Sequence, residues 1–314
     1  MRPPVHDAVQ DVRGTLVMPA LRFGTRRALW AYAFLIVPLL FFVAIRVAPA
    51  VSSLYISLHE WNVISPEKPF VGVQNFLTLS RDPKFARAAG NTIRYVLAGI
   101  PVQIVIGLGV ALLLRRINRF RGLFRALYFL PFVTPIVAAA WVFQWMYSEQ
   151  FGPLNQILVA LGLPAQPFLR SPSQALYAVT AMVVWQYLGF QIVIFLAGLE
   201  AIPRAYYEAA QVDGASGWQL FRKITVPLLN PTLVFSAVYS TIVYLQLFTQ
   251  VLNMTFGDQG GPLAGTLTMV LYVYQLGFQR FKMGEAAAAT AVLFLVILAV
   301  TLLQMRVLSK SVEY

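Results

Sequence analysis

Residues 95–114 read YVLAGIPVQIVIGLGVALLL, a run without a single charge. A bilayer core about 30 Å thick needs about 20 predominantly apolar residues in a helix, and this run supplies them. The same test selects 28–45 (ALWAYAFLIVPLLFFVAI), whose apolar character continues past Arg46 to about Leu58. It also selects 126–147, 175–199 and 286–305 (AAAATAVLFLVILAVTLLQM). The uncharged stretch 224–257 is too long for one helix. Pro227 and Pro231 break its start, so a sixth span is expected from near Thr232 to near Met254. A shorter apolar run, 263–278, follows the breaker Gly260-Gly261-Pro262 and reads as a surface-lying or re-entrant helix. Ala48-Pro49-Ala50 faintly resembles a cleavage site. Pro49 sits inside it and five more spans follow, so the first span is read as uncleaved.

Composition agrees with this reading. The chain has 314 residues, 59% of them hydrophobic and only 11% charged, against roughly a quarter charged in soluble domains. That excludes a soluble enzyme and a disordered chain, and the absence of Cys excludes a disulfide scaffold. His6 and His59, far apart, leave no histidine-based metal site. A net charge of +12 could suggest nucleic acid, but the basic residues gather between the apolar runs, as membrane loops do. The expected architecture is an all-α, polytopic membrane protein with six transmembrane helices. It has a cytoplasmic segment 1–27, a transmembrane domain 28–306 and a tail 307–314.

Orientation follows from the basic residues. With the N-terminus inside, the inner segments hold fifteen Lys and Arg and the outer ones eight. The inner loop 115–125 carries five, whereas the outer loop 148–174 carries Arg170 alone. Both termini are therefore expected in the cytoplasm. No acidic residue falls in any span, and Arg46 can snorkel from the outer end of the first. Proton-coupled carriers usually need a buried ionisable group, and no inverted repeat is visible. The chain lacks an evident energy source of its own.

One inner segment, 200–227, is unlike a polar loop. From Ala201 it reads AIPRAYYEAAQVDGASGWQLFRKITVP. Pro203 suits a first helical turn, and Ile202, Tyr206, Ala209 and Ala210 would share one apolar face. Asp213-Gly214 is a turn, Ser216 an N-cap for a second helix, and Pro227 its end. Such an amphipathic pair suits either a groove on another protein or the lipid surface.

The segment resembles the EAA signature of inner-membrane permeases of binding-protein-dependent ABC importers. Glu208-Ala209-Ala210 is followed after three residues by Gly214, and after nine more by Ile224-x-x-Pro227, with Val226 where Leu is usual. Phe70 to Phe76, Asn91-Thr92, Gly260-Gly261-Pro262 with Thr266, and Gly284 to Ala289 match the carbohydrate permeases of the maltose and glycerol-3-phosphate type. The chain looks most like the first of their two permease partners. The resemblance implies a type I importer fold in a prokaryotic inner membrane. It also implies a second homologous permease, an ATPase subunit dimer, an extracytoplasmic sugar-binding protein and a sugar as cargo. Segment 200–227 would couple to the ATPase, with Glu208 facing a basic residue there and Gly214 making the turn; Asp213 belongs to the same motif. ATP and Mg would be bound by the partner. This chain has no G-x-x-x-x-G-K-[ST] loop and no H-E-x-x-H or G-x-S-x-G motif.

A sugar needs polar side chains and aromatic faces in an otherwise apolar cavity. In the fifth span Tyr239, Gln246, Gln250 and Asn253 fall at helical offsets that share one face. The fourth span offers Gln186, Tyr187 and Gln191, and the third Trp141, Gln144 and Trp145. Each could instead bond neighbouring helices. An ABC permease for a non-sugar solute and a polytopic membrane enzyme are the competing readings. The enzyme would need ionisable groups at the membrane surface, where only Glu208 and Asp213 lie close together.

Overall fold

A computed structural model of the chain describes residues 25–117, 119–255 and 260–308. Most of the expected terminal segments 1–27 and 307–314 lies outside the described residues. Among those described there is no strand, only the isolated bridges His59–Phe70 and Asn62–Lys282.

The chain divides into two compact units at Ser52 and Ser53. The first contains α1 (Thr25–Phe42), a π turn over Val43–Val47 that includes Arg46, and the start of α2 (Ala48–Ser57). Together they form an apolar stretch from Trp30 to Ser57, long enough to cross a bilayer.

The second unit opens with the end of α2, followed by α3 (Gln74–Arg81) and the long α4 (Pro83–Arg115). Next come α5 (Arg121–Val133), α6 (Ile136–Met146) and the short α7 (Pro153–Ala160), then α8 (Ala175–Ala201). The inner segment supplies α9 (Arg204–Val212), α10 (Gly217–Leu220) and α11 (Val226–Leu228). The remainder is α12 (Asn230–Leu245), α13 (Thr249–Met254), α14 (Met269–Tyr274) and α15 (Met283–Leu308). Among the described residues, four helical stretches can cross a membrane by length and composition, or up to six if each of two bent pairs counts as one span.

The bends have local causes. α5 and α6 meet at 92°. Thr134 precedes Pro135, and the proline ring forces it out of the helical region, to φ −65° and ψ 134°. Its hydroxyl donates to the Leu130 carbonyl at 2.9 Å, and its N–H donates to the same carbonyl at 3.1 Å, closing the end of α5. Before α12 the chain turns by 65°, where Pro227 and Pro231 stand.

The fifth span differs from expectation. The helix starts at Asn230 and ends at Leu245, so 232–254 is not one helix. Gln246 (φ −108°, ψ 17°) and Phe248 (φ −140°, ψ −66°) leave the helical path before α13 resumes it. Irregular backbone at membrane depth survives only where protein satisfies it. Thr268 does so: its hydroxyl donates to the Leu247 carbonyl at 2.7 Å and also caps α14 through Leu271 N–H. The run 263–278 contains no helix of crossing length, only α14 between a 3₁₀ turn and a π turn.

α4 organises the interior. Gly99, Gln103, Gly107 and Ala111 stand at intervals of four, on one face. That face packs on α8 and α12. A Cβ on Gly99 would overlap the Tyr244 ring. Gln103 is a buried hub: it donates to Gln191 Oε1 (3.4 Å) and Ser240 Oγ (3.5 Å) and accepts from the Tyr244 hydroxyl (3.0 Å). Gln191 donates in turn to Ser236 Oγ.

At the far end of α4, Asp82 does two jobs. Its carboxylate caps the helix through Lys84 N–H at 2.7 Å and accepts the Tyr272 hydroxyl at 2.7 Å. Burial works to raise its pKa. The Tyr272 and backbone hydrogen bonds, with the Arg280 charge, outweigh that and hold it below the usual carboxylate value. A depressed folded pKa gives stability that is present above the unfolded value, about 3.9, and is lost as pH falls through the folded one. Asp82→Ala is expected to cost about 1–2 kcal/mol, read from thermal unfolding in detergent. Hydrogen exchange in α14 should accelerate below about pH 4 in the parent chain, and this acid step should be absent from the variant.

Candidate coupling loop and translocation path

The inner segment folds as two short helices around a turn. α9 begins at Arg204, one residue later than expected, because Pro203 holds ψ at 135°. Ile202 stands before it in extended backbone and is buried, so it shares no helix face with Tyr206. The predicted apolar face of Ile202, Tyr206, Ala209 and Ala210 is therefore not formed. Tyr206 and Ala209 are exposed and Ala210 is half-buried. The inward side is carried by Tyr207, a residue the periodicity did not single out.

The turn is as predicted. Gly214 has φ +78°, which favours glycine, and no atom lies near where a Cβ would project. Its N–H and that of Ala215 close onto the carbonyls of Gln211 (3.0 Å) and Ala210 (2.9 Å), completing the end of α9. Ser216 caps α10 and Gln219 returns the bond to Ser216 N–H at 2.7 Å, a full capping box. Glu208 and Asp213 are exposed. So are Val212 (89%) and Trp218 (67%), an unusual pair of apolar side chains to leave outside. Ile224 lies half-buried in the π turn Phe221–Thr225, and Pro227 is exposed in α11.

The second group of residues lies where α8 meets α12 and α13. Gln250 Nε2 donates to Gln186 Oε1 at 3.1 Å, and both are buried. Tyr187 is half-buried, with its ring edge-on to Phe132 at 5.9 Å. Gln246 is exposed at the break, and Asn253 donates to Thr249 O at 2.7 Å. Gln191 belongs to the Gln103 hub and is fully buried, so in this chain it braces helices. Tyr239 lines an apolar cavity of about 450 Å³ with Phe235 and Ile242. Gln144 donates to the Met254 carbonyl at 3.1 Å, and Trp141 and Trp145 are exposed.

A row of rings missed by sequence reasoning connects these positions. Phe235, Tyr239, Phe190 and Phe132 follow one another at centroid separations of 6.2, 4.7 and 5.1 Å. Tyr187 joins at Phe132. The signal was masked because Phe is common along the chain, at 23 of 314 residues.

A family profile described as the binding-protein-dependent transport system inner membrane component matches residues 103–314. The chain belongs to this family. It is similar to the trehalose/maltose transport system permease protein MalF of Thermococcus litoralis, with 32% identity covering 87% of this chain and 92% of that one. It is 36% identical to the lactose transport system permease protein LacF of Rhizobium radiobacter, over 81% and 85% of the two chains. A chain in the crystal structure of a bacterial alginate ABC transporter, in complex with alginate pentasaccharide-bound periplasmic protein, shares the fold. The TM-score is 0.79 at 24% identity, covering 91% of this chain and 98% of that one. The protein is thus a multi-pass membrane component of an ABC importer. Its family is the permease, not the ATPase.

Proposed function

We propose that the chain is the permease subunit through which an ATP-driven importer moves a carbohydrate delivered by an extracytoplasmic binding protein. It would act as the first of two homologous permeases above an ATPase dimer, which binds the ATP and Mg. The observation that carries this reading is the coupling loop. A glycine turn closed by the Ser216–Gln219 capping box presents Glu208, Val212 and Trp218 outward, as a knob for a partner's groove would. Carbohydrate as cargo is supported by relatives named for trehalose/maltose, lactose and arabinooligosaccharides. The row of rings beside Gln186 and Gln250 offers the stacking faces and hydrogen-bonding groups that sugars need. Purifying the tagged chain in mild detergent should bring down a second permease and an ATPase subunit. Recovery of the chain alone from cells expressing the whole operon would count against the reading.

The same proposal places both termini in the cytoplasm, on the bias of fifteen inner against eight outer basic residues. A reporter fused after Tyr314 is expected to be active only as a cytoplasmic probe. Activity outside would mean an odd number of crossings, with 263–278 traversing the membrane.

A further inference from the structure

The stripe on α4 does not stop at Ala111. The next position in steps of four is Arg115, the last residue of the helix, and it reaches the coupling loop. Arg115 Nη1 donates to Tyr207 Oη at 3.2 Å, and the guanidinium carbon sits 4.9 Å from the centre of the same ring. The Tyr207 hydroxyl lies 3.1 Å from Thr225 Oγ1, and Thr225, 4% exposed, donates to the Leu220 carbonyl at 3.4 Å. One assignment of protons satisfies the whole series. The guanidinium donates to Tyr207, Tyr207 to Thr225, and Thr225 to Leu220. The three bonds run in one direction, from the end of α4, through α9, into the π turn Phe221–Thr225.

We infer that Tyr207 is a positioning residue that clamps the coupling loop to α4, so that loop and helix move as one body. The inference rests on the coupling-loop reading above. Its consequence is mechanical. Gln103 is three steps of the same stripe from Arg115, about 18 Å along a helix. It holds α8 through Gln191 and α12 through Ser240 and Tyr244. A displacement of the loop therefore reaches the contacts between α4, α8 and α12 without crossing a flexible link. The ring matters as well as the hydroxyl, because a cation over an aromatic face adds to the hold on Arg115.

The chain has no native Cys, which makes distances measurable. Spin labels at Arg204→Cys, exposed at the start of α9, and Val105→Cys, exposed on α4, would be placed in the complex purified through a tag on this chain. Distances would be recorded without nucleotide and with ATP, Mg and vanadate. The expected result is one narrow distance, unchanged by nucleotide. Tyr207→Phe keeps the ring but removes the hydroxyl, and Thr225→Val removes the next link at nearly constant shape. Each should broaden the distribution or make it nucleotide-dependent, with the ATPase subunit still bound. The double variant should be no worse than either single one, because both cut the same chain. ATP hydrolysis by the assembled complex should lose its dependence on the loaded binding protein by roughly three- to ten-fold. An unchanged narrow distance in both variants, or a nucleotide-dependent distance in the parent, would overturn the clamp. Loss of the ATPase subunit from the parent complex would instead overturn the coupling-loop reading beneath it.

Discussion

Gly214→Pro is expected to abolish transport while the protein still inserts and accumulates in the membrane. The glycine sits at φ +78°, and proline is locked near −65°, so the turn cannot keep its path. Proline also removes the N–H that closes onto the Gln211 carbonyl at 3.0 Å. Crowding plays no part, since no neighbour stands near a Cβ there. The damage is confined to the angle between α9 and α10, and with it the direction in which Val212 and Trp218 point. Gly214→Ala tests that account: it has the same steric room but pays an αL penalty of only about 1–2 kcal/mol, so it should retain partial activity. Glu208→Lys should abolish transport by a different route, reversing an exposed charge while leaving the loop folded. The checks are uptake by whole cells, membrane abundance by immunoblot, and co-purification of the ATPase subunit. Wild-type uptake in Gly214→Pro would remove the loop from the coupling role.

How well each part could be read from the sequence follows from how local its causes are. The coupling turn was legible because Asp213, Gly214 and Ser216 act within a few residues of one another. The bend at Thr134 has a local cause too, since Pro135 follows it directly. The break at Gln246 to Phe248 had no such mark. No Gly or Pro stands there, and the group that satisfies the freed Leu247 carbonyl is Thr268, 21 residues further on. Counting helical offsets across that break put Tyr239, Gln246, Gln250 and Asn253 on a face that does not exist as one surface. Tyr207 was missed for the same reason. Nothing near it in sequence marks it, and its partner Arg115 is 92 residues away. Gln103 could have been found. It is the one amide in the run 95–114, and Gly99 and Gly107 flank it at one turn on either side.

The broken fifth span changes what a labelling experiment on the translocation path should show. One continuous helix would make 239, 246 and 250 reactive and leave 242 and 245 silent. In the observed fold Ile242 lines the same cavity as Tyr239, while Leu245 is 4% exposed. Cysteines at 239, 242 and 246 are therefore expected to react with a small polar thiol reagent in the assembled transporter, and one at 245 to stay silent. Position 250 is buried against Gln186 and should react only in the state that opens the path. Maltose, trehalose and lactose, offered with the binding protein, would serve as protecting probes. Protection by one of them at 246, but not at 242 on the apolar side, would mark the polar wall. Gln250→Leu should lower uptake roughly ten-fold or more, because the buried Gln186 then loses its donor. Gln250→Glu, which keeps the shape but takes away the amide donor, should do no better. Assembly and abundance should be unaffected, since neither residue belongs to the Gln103 hub that holds α4, α8 and α12 together. Uniform reactivity around α12, or full uptake in Gln250→Leu, would move the path away from these residues and leave the family assignment standing.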